Sequence, residues 1–147
     1  MLITNEVKIN APRKVVYDCL NDLDVLATCI PGCEEIEWIT KDCLKIKVAL
    51  KVGPVKVKFF GTVVLKNDHA PEQFSLTGEG KGGAAGFASG DVDFSLIENK
   101  KTTILKYGAN VKIGGKIIQL GNRLLKGSVT NLTSQFFLKF SEIVSNK

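Results

Sequence analysis

Residues 43–66 alternate between apolar and mostly lysine side chains, and this period of two constrains the fold more than any other feature of the chain. In CLKIKVALKV the apolar side chains recur at every second position, and VKVKFFGTVVLK repeats the alternation after the turn Gly53-Pro54. Such a pattern is typical of an antiparallel sheet with one buried face and one face in water. The rest of the chain must therefore supply a cover for one apolar sheet face.

The same alternation predicts strands elsewhere. It appears in residues 2–9 and 33–40, in QFSLTGEG from residue 73, in DVDFSL from residue 91 and in TTILKYGANVKI from residue 102. Consecutive strands that are joined by short turns run antiparallel. We therefore expect one curved antiparallel sheet of about seven strands.

Helical spacing appears in two parts of the chain. PRKVVYDCLND and the segment from Leu23 to Ile30 predict two short helices after the first strand. Residues 114–146 predict one long C-terminal helix, with an apolar stripe made of Ile117, Leu120, Leu124, Val129, Leu132, Phe136, Phe140 and Ile143. Because such a stripe can cover a sheet face, we expect a single α+β domain over residues 1–147, with the sheet wrapped around the long helix.

Three stretches resemble a known family. LATCIPGCEEIE at 26–37, GKGGAAGFASGDVDFSL at 80–96 and IGGKIIQLGNRLLKG at 113–127 are similar to segments of the CoxG proteins of carbon monoxide dehydrogenase. The predicted order of elements likewise resembles the helix-grip fold of the START-like, or SRPBCC, superfamily. The likeness covers nearly the whole chain.

This resemblance implies an apolar pocket between the sheet and the last helix. It implies a non-catalytic accessory role beside a molybdenum hydroxylase of the CO dehydrogenase type, either in recruiting the enzyme to the membrane or in carrying quinone. Many members have a C-terminal extension that contacts the membrane, whereas this chain ends at Lys147. That difference favours a carrier or binding role, with a quinone- or lipid-like ligand and no other cofactor, over membrane attachment.

Several large side chains are candidates for lining such a pocket, although they could equally fill a solid core. They are Trp38, Phe59, Phe74, Phe94, Tyr107, Leu120 and Leu124. The segment Ile30, Pro31, Gly32 and Cys33 joins the second helix to the sheet. We interpret it either as a simple helix stop or as a gate at the pocket mouth.

The stretch GEGKGGAAGFASG, from residue 78, begins with the GxGxxG spacing of dinucleotide-binding loops. Such a loop must open a helix, yet the residues that follow return to period two. Glycine within a strand instead indicates a bulge, a bend or the close approach of another group. We predict five close-approach glycines: Gly78, Gly80, Gly83 and Gly86 leave room either for the last helix, at Gly121, or for a ligand.

The lysines of the two alternating strands predict a basic patch on the outer face of the sheet, at Lys45, Lys47, Lys51, Lys56 and Lys58. This patch is either a solvated face that discourages edge pairing or a docking face for an acidic protein or anionic lipid. Salt would weaken such docking. The net charge of +5 comes from lysine excess without arginine-rich or aromatic platforms, so nucleic acid is not an expected partner.

Catalytic groups are scarce in the sequence. The only histidine, His69, lies in a polar turn, and the expected inward positions carry no carboxylate. An enzyme of the SRPBCC cyclase or hydrolase kind and a pure interaction module remain the alternatives to a binding protein. We expect free thiols rather than a metal site at Cys19, Cys29, Cys33 and Cys43, because their spacing does not match zinc motifs. The absence of a signal peptide and of a long apolar segment predicts a cytoplasmic protein without a membrane span, although peripheral membrane contact is possible.

Overall fold

The computed structural model describes all residues from Met1 to Lys147. Seven strands and three α-helices follow one another in the order β1 (Leu2–Ile9), α1 (Arg13–Leu20), α2 (Leu23–Cys29), β2 (Cys33–Thr40), β3 (Cys43–Val52), β4 (Val55–His69), β5 (Gln73–Lys81), β6 (Phe87–Asn99), β7 (Thr102–Gly114) and α3 (Asn122–Ser145). The strands form one sheet in the order β1-β7-β6-β5-β4-β3-β2. Every pairing is antiparallel, so the predicted helix-grip arrangement is confirmed.

The β3–β4 hairpin shows why the alternating pattern is such a strong constraint. Val52 pairs with Val55 across the turn, and Lys51 pairs with Lys56 one step further along. Val52 and Val57 are buried, whereas Lys51 and Lys56 are exposed. The two strands therefore place their apolar side chains on the inner face and their lysines on the outer face, as period two requires.

Specific hydrogen bonds fix the starts of the two short helices. Asp22 caps α2, since its Oδ1 accepts the backbone N–H groups of Asp24 at 2.9 Å and Val25 at 3.3 Å. The fully buried Thr103 on β7 donates its hydroxyl to the carbonyl of Ala11, just before α1, at 2.8 Å. This last bond ties the start of α1 to the sheet.

The main hydrophobic core lies where α3 packs against β1, β6, β7 and the two short helices. Its fully buried side chains include Ile9, Val16, Leu96, Leu105 and Phe140. A second, smaller core cluster consists of Val52, Val57, Ile117 and Leu125. The first cluster contains residues near the C-terminal end of α3 and the second contains Leu125 near its start, so the helix is anchored to the sheet at both ends.

The last helix begins later than the sequence predicts. Residues Lys116–Leu120 form a separate 3₁₀ turn, and α3 starts at Asn122 after Gly121. Gly121 has φ of +91°, which favours glycine, and the chain bends there. Because helical spacing does not continue across this bend, Leu125 is buried whereas Leu124 in the predicted stripe is 38% exposed.

No helix of the structure combines the length and the apolar character that crossing a bilayer requires.

Candidate functional site

A cavity of about 400 Å³ lies between the inner face of the sheet, α3 and the short helices. Of its 24 lining residues, 20 are hydrophobic, and none carries a charge. The helical side of the lining comprises Leu20, Asn21, Leu26, Val129, Leu132, Thr133, Phe136 and Phe137. The α3 residues of the lining fall between Leu125, in the second core cluster, and Phe140, in the main core, so the cavity lies beside the middle of the helix.

Three of the predicted pocket residues line this cavity. Phe74 on β5 and Phe94 on β6 stack with ring centroids 5.0 Å apart, and Tyr17 on α1 packs edge-on against Phe74. Tyr107 on β7 stacks on Phe137 of α3 with a centroid distance of 4.7 Å. These aromatic pairs form rigid walls at two sides of the cavity.

The other four predicted pocket residues lie outside the lining. Phe59 and Leu120 pack against the second core cluster. Leu124 covers the β3–β4 turn, and its Cδ2 lies 2.9 Å from the position that a Cβ on Gly53 would occupy. Trp38 is half-buried near the edge of the sheet, on the strand β2, where it pairs with Leu44.

Most of the sheet side of the lining is aliphatic, and the sequence prediction passes over it by favouring large aromatic side chains. These aliphatic residues are Ile3, Ile36, Leu44, Ile46, Val63, Leu65, Leu76, Val92 and Val111. Period two already places most of them on the inner face. What the pattern does not indicate is which inner-face residues meet a void and which meet α3.

The predicted gate segment divides into two parts. Ile30 and Pro31 line the cavity, whereas Gly32 and Cys33 do not. Pro31 and Leu132 also line a separate surface groove between β3 and α3, so these two side chains stand between the groove and the cavity. Gly32 fixes this segment in place, since its carbonyl accepts the N–H of Ala49 on β3 at 2.9 Å.

Of the five glycines predicted to give room, only Gly86 meets a very close neighbour, and that neighbour is a strand. A Cβ on Gly86 would lie 2.0 Å from the carbonyl oxygen of Gly114 on β7. At Gly78 and Gly80 an added Cβ would make ordinary contacts of 3.6–3.7 Å, and at Gly83 and Gly121 it would meet nothing within 4 Å. A three-residue 3₁₀ turn and then β6 follow the glycines, so the GxGxxG match does not open a helix.

Three of the five lysines predicted to form the basic patch lie in ion pairs, because β2 places acidic side chains beside them. Lys45 pairs with Glu37 at 2.6 Å, while Lys47 and Lys58 both approach Glu34, at 3.7 and 3.8 Å. The remaining two predicted docking residues, Lys51 and Lys56, make no ion pair and lie at the hairpin tip. A wide groove of about 650 Å³ on this outer face is flanked by the exposed rings of Phe60 and Phe87.

All four cysteines are free thiols. Cys19 and Cys29 are buried in the main core, and burial raises the pKa of both thiols above the usual 9.0. Burial also raises the pKa of Cys33, against a smaller lowering by its hydrogen bond to the backbone of Glu35. Raised pKa values keep these thiols protonated and poorly nucleophilic near neutral pH.

Solved structures with the same arrangement cover nearly the whole chain. A conserved protein from Geobacillus kaustophilus matches with a TM-score of 0.92 and 26% identity over 99% of this chain and 96% of that chain. A START superfamily protein from Mycobacterium smegmatis matches with a TM-score of 0.75 and 12% identity, over 99% of this chain and 97% of that chain. The Zhui aromatase/cyclase from Streptomyces sp. R1128 matches with a TM-score of 0.70 and 14% identity, over 98% and 93% of the two chains. At such low identity the last two show the fold alone.

No curated protein matches this chain in sequence. The family model for the CoxG component of carbon monoxide dehydrogenase, in contrast, matches residues 6–145, which is almost the entire chain. The same span contains nearly all of both cores and of the cavity, together with residues 30–33. The chain therefore belongs to the carbon monoxide dehydrogenase CoxG family.

Proposed function

We propose that this CoxG-family protein is a non-catalytic binding protein that holds an apolar, quinone- or lipid-like molecule in its interior cavity and assists a molybdenum hydroxylase of the CO dehydrogenase type. The observation that carries the proposal is the cavity itself, a space of about 400 Å³ with a lining that contains no charged side chain. Small-molecule sites are usually concave and mostly apolar, with volumes of about 300–1,000 Å³.

The energetics of packing favour an occupant. Protein interiors contain few voids larger than a water molecule, because every unfilled space loses dispersion contacts along its walls. An apolar ligand in this cavity would restore those contacts, and it would gain about 25 cal/mol for each Å² of apolar surface removed from water. Water would find few hydrogen-bonding partners on the same walls.

The composition of the lining supports binding rather than catalysis. General acid–base chemistry needs a titratable group beside the reacting atoms, and the lining contains no carboxylate, histidine or thiol. The hydroxyl of Tyr107 is the one titratable group there, and burial raises its pKa above 10.0, against a smaller lowering by the Asn5 side chain. It therefore stays protonated at neutral pH and cannot serve as a base.

The accessory role rests on membership of the CoxG family, which is matched over residues 6–145 and is named for carbon monoxide dehydrogenase. A hydroxylase that exchanges electrons with an apolar carrier would need a protein that shields this carrier from water. The interior cavity suits that task.

The ligand can be tested directly with purified protein. We expect native mass spectrometry to show a bound apolar molecule, a solvent extract to contain it, and a short-chain quinone analogue to bind. The variant Val63→Trp should lose this binding because Val63 lines the cavity. Val64→Trp is the matched control, since the neighbouring side chain is 44% exposed on the outer face. If no apolar molecule copurifies and no quinone analogue binds, the binding proposal is wrong.

The partner requires a separate experiment. We expect co-expression with a molybdenum hydroxylase encoded beside this protein to give a complex that survives gel filtration at low salt. The accessory role is wrong if the hydroxylase elutes alone and keeps its full rate of quinone reduction without this protein. The proposal that the cavity binds an apolar ligand does not depend on that result.

A further inference from the structure

The cavity has few polar groups: two asparagine amides and the hydroxyls of Thr133 and Tyr107. The hydroxyl of Thr133 donates to the carbonyl of Val129 at 2.7 Å, within α3, and it cannot bind the polar part of a ligand without giving up this bond. The Tyr107 ring lies flat on Phe137, and Tyr107 pairs with Asn5 on the edge strand β1.

Asn67 and Asn21 are the two amides of the lining, and both have free hydrogen-bonding capacity. The side-chain amide of Asn67 makes no hydrogen bond within the protein, although the residue is half-buried and lines the cavity. Asn21 donates its Nδ2 to the carbonyl of Tyr17 at 2.9 Å, which leaves its Oδ1 free as an acceptor. No fully buried side-chain N or O atom lacks a partner, so the free amide atoms keep some accessible surface.

Both asparagines lie at the same end of the cavity. Asn67 is close to the end of β4, two residues after Leu65, whose N–H bonds to the carbonyl of Asp42 in the β2–β3 turn at 2.8 Å. Asn21 follows α1, one turn after Tyr17, whose ring packs edge-on against Phe74 on β5. Asn67 lies beside the same part of β5, since Lys66 pairs with Ser75 and His69 pairs with Gln73. The cavity therefore has one polar end and an otherwise apolar wall.

The cavity also lacks any group that could balance a charge. A charged ligand group inside it would lose its hydration without an opposite charge or a set of donors to replace the water, and this is strongly unfavourable. A neutral group such as a hydroxyl or a carbonyl loses far less, and an amide can satisfy it as both donor and acceptor.

We infer that the cavity selects neutral, mostly apolar molecules with a single hydrogen-bonding end group, that Asn67 is the specificity-determining residue for this end with Asn21 beside it, and that carboxylates and ammonium ions of the same size are rejected. This inference rests on the proposed function, because it requires the cavity to bind an apolar molecule. It adds the chemical class of that molecule and the place where its polar end lies.

Three probes of equal chain length test the inference by isothermal titration calorimetry on the wild-type protein. We expect dodecanol to bind at about pH 8 at least about a hundredfold more tightly than dodecanoate or dodecylammonium, which are both charged there. Dodecanoate should gain affinity as the pH falls below about 5, because its carboxyl group becomes neutral. These titrations at different pH values use only the wild-type protein, so their outcome does not depend on how well a variant folds.

The variant Asn67→Leu tests the role of the amide. It should weaken the binding of dodecanol by about tenfold, which corresponds to one net hydrogen bond, while dodecane binds as well as before. Asn110→Leu is the matched control because Asn110 is exposed and outside the cavity lining. A thermal melt of each variant confirms that it is folded.

The outcomes separate the selectivity for neutral ligands from the binding function itself. Equal affinity for dodecanol and dodecanoate at about pH 8 would overturn the inference and leave the proposed function standing. An unchanged preference of Asn67→Leu for dodecanol over dodecane would overturn the role of Asn67. If none of the probes binds to the wild-type protein, the proposed function fails and the inference fails with it.

Discussion

Tyr107 on β7 and Phe137 on α3 stack face to face, with ring centroids 4.7 Å apart and ring planes inclined by 16°. Both rings belong to the main core, and both also line the cavity. The side chains that hold the long helix against the sheet therefore also shape the candidate binding site. We therefore expect a change at this pair to affect both stability and any ligand binding in the cavity.

Phe137→Ala should lower the free energy of unfolding by about 3–5 kcal/mol, because it removes a buried ring and enlarges an existing void. Urea denaturation followed by circular dichroism measures this change. Leu138→Ala is the matched control, since Leu138 is 67% exposed and should change stability by no more than about 0.5 kcal/mol. Equal losses in the two variants would show that Phe137 does not anchor the helix.

Gly32→Ala should disturb residues 30–33, the segment that we predict to act as a gate to the cavity. Gly32 has φ of +71°, and an added Cβ would lie 1.9 Å from the carbonyl oxygen of Ala49 on β3. Left-handed backbone alone costs a non-glycine residue about 1–2 kcal/mol, and the contact with a strand carbonyl adds to this. We expect a loss of more than about 2 kcal/mol in urea denaturation, together with weaker ligand binding.

The control for Gly32 is another glycine with a similar backbone and open surroundings. Gly83 has φ of +59°, and an added Cβ there meets nothing within 4 Å. Gly83→Ala should therefore show only the backbone cost of about 1–2 kcal/mol and normal binding. If both variants lose the same stability and keep full binding, the contact of Gly32 with β3 has no role in ligand binding, and the gate prediction is wrong.

Stability should decrease in alkaline solution. Burial raises the folded-state pKa of Cys19 and Cys29 above 9.0. Below about pH 8.5 both folded and unfolded chains hold these protons, and the stability contribution is fully present. Above this range the unfolded chain releases them first, so stability falls as the pH rises through the folded-state pKa values.

Melting temperatures between about pH 8 and about pH 10.5 measure this effect. The double variant Cys19→Ala, Cys29→Ala should begin from a lower melting temperature, because two buried side chains are truncated. Its decrease with rising pH should nevertheless be shallower than that of the wild-type protein. Parallel decreases in both proteins would show that the two thiols do not contribute to the alkaline loss.

Much of the fold can be predicted because its signals are local. Period two identifies all seven strands, and the segment from Leu23 to Ile30 with the following Pro31-Gly32 marks the second helix and its end. The predicted start of α3 is wrong because apolar spacing runs unbroken through Gly121, whose backbone bend has no signature in a hydrophobic pattern. The sequence likewise does not connect the glutamates of β2 with the lysines of β3 and β4, since strand neighbours depend on topology.

The candidate site is less predictable than the fold. Phe74, Phe94 and Tyr107 are predicted as inward aromatic residues and do line the cavity. Asn67 falls in a polar turn of the sequence, and nothing in its neighbourhood along the chain connects it with Asn21. Only the fold brings these two amides to one end of an apolar space.

The sequence by itself determined which side chains face inward, because the alternation of a strand and the stripe of a helix are properties of neighbouring residues. It also determined that the inner surface carries almost no charge. The tertiary structure alone decided that this surface leaves a cavity of about 400 Å³ instead of a solid core. The reason is geometric: a void depends on the distance between the curved sheet and α3, and this distance is set by contacts between residues that lie far apart in the chain, such as Tyr107 and Phe137.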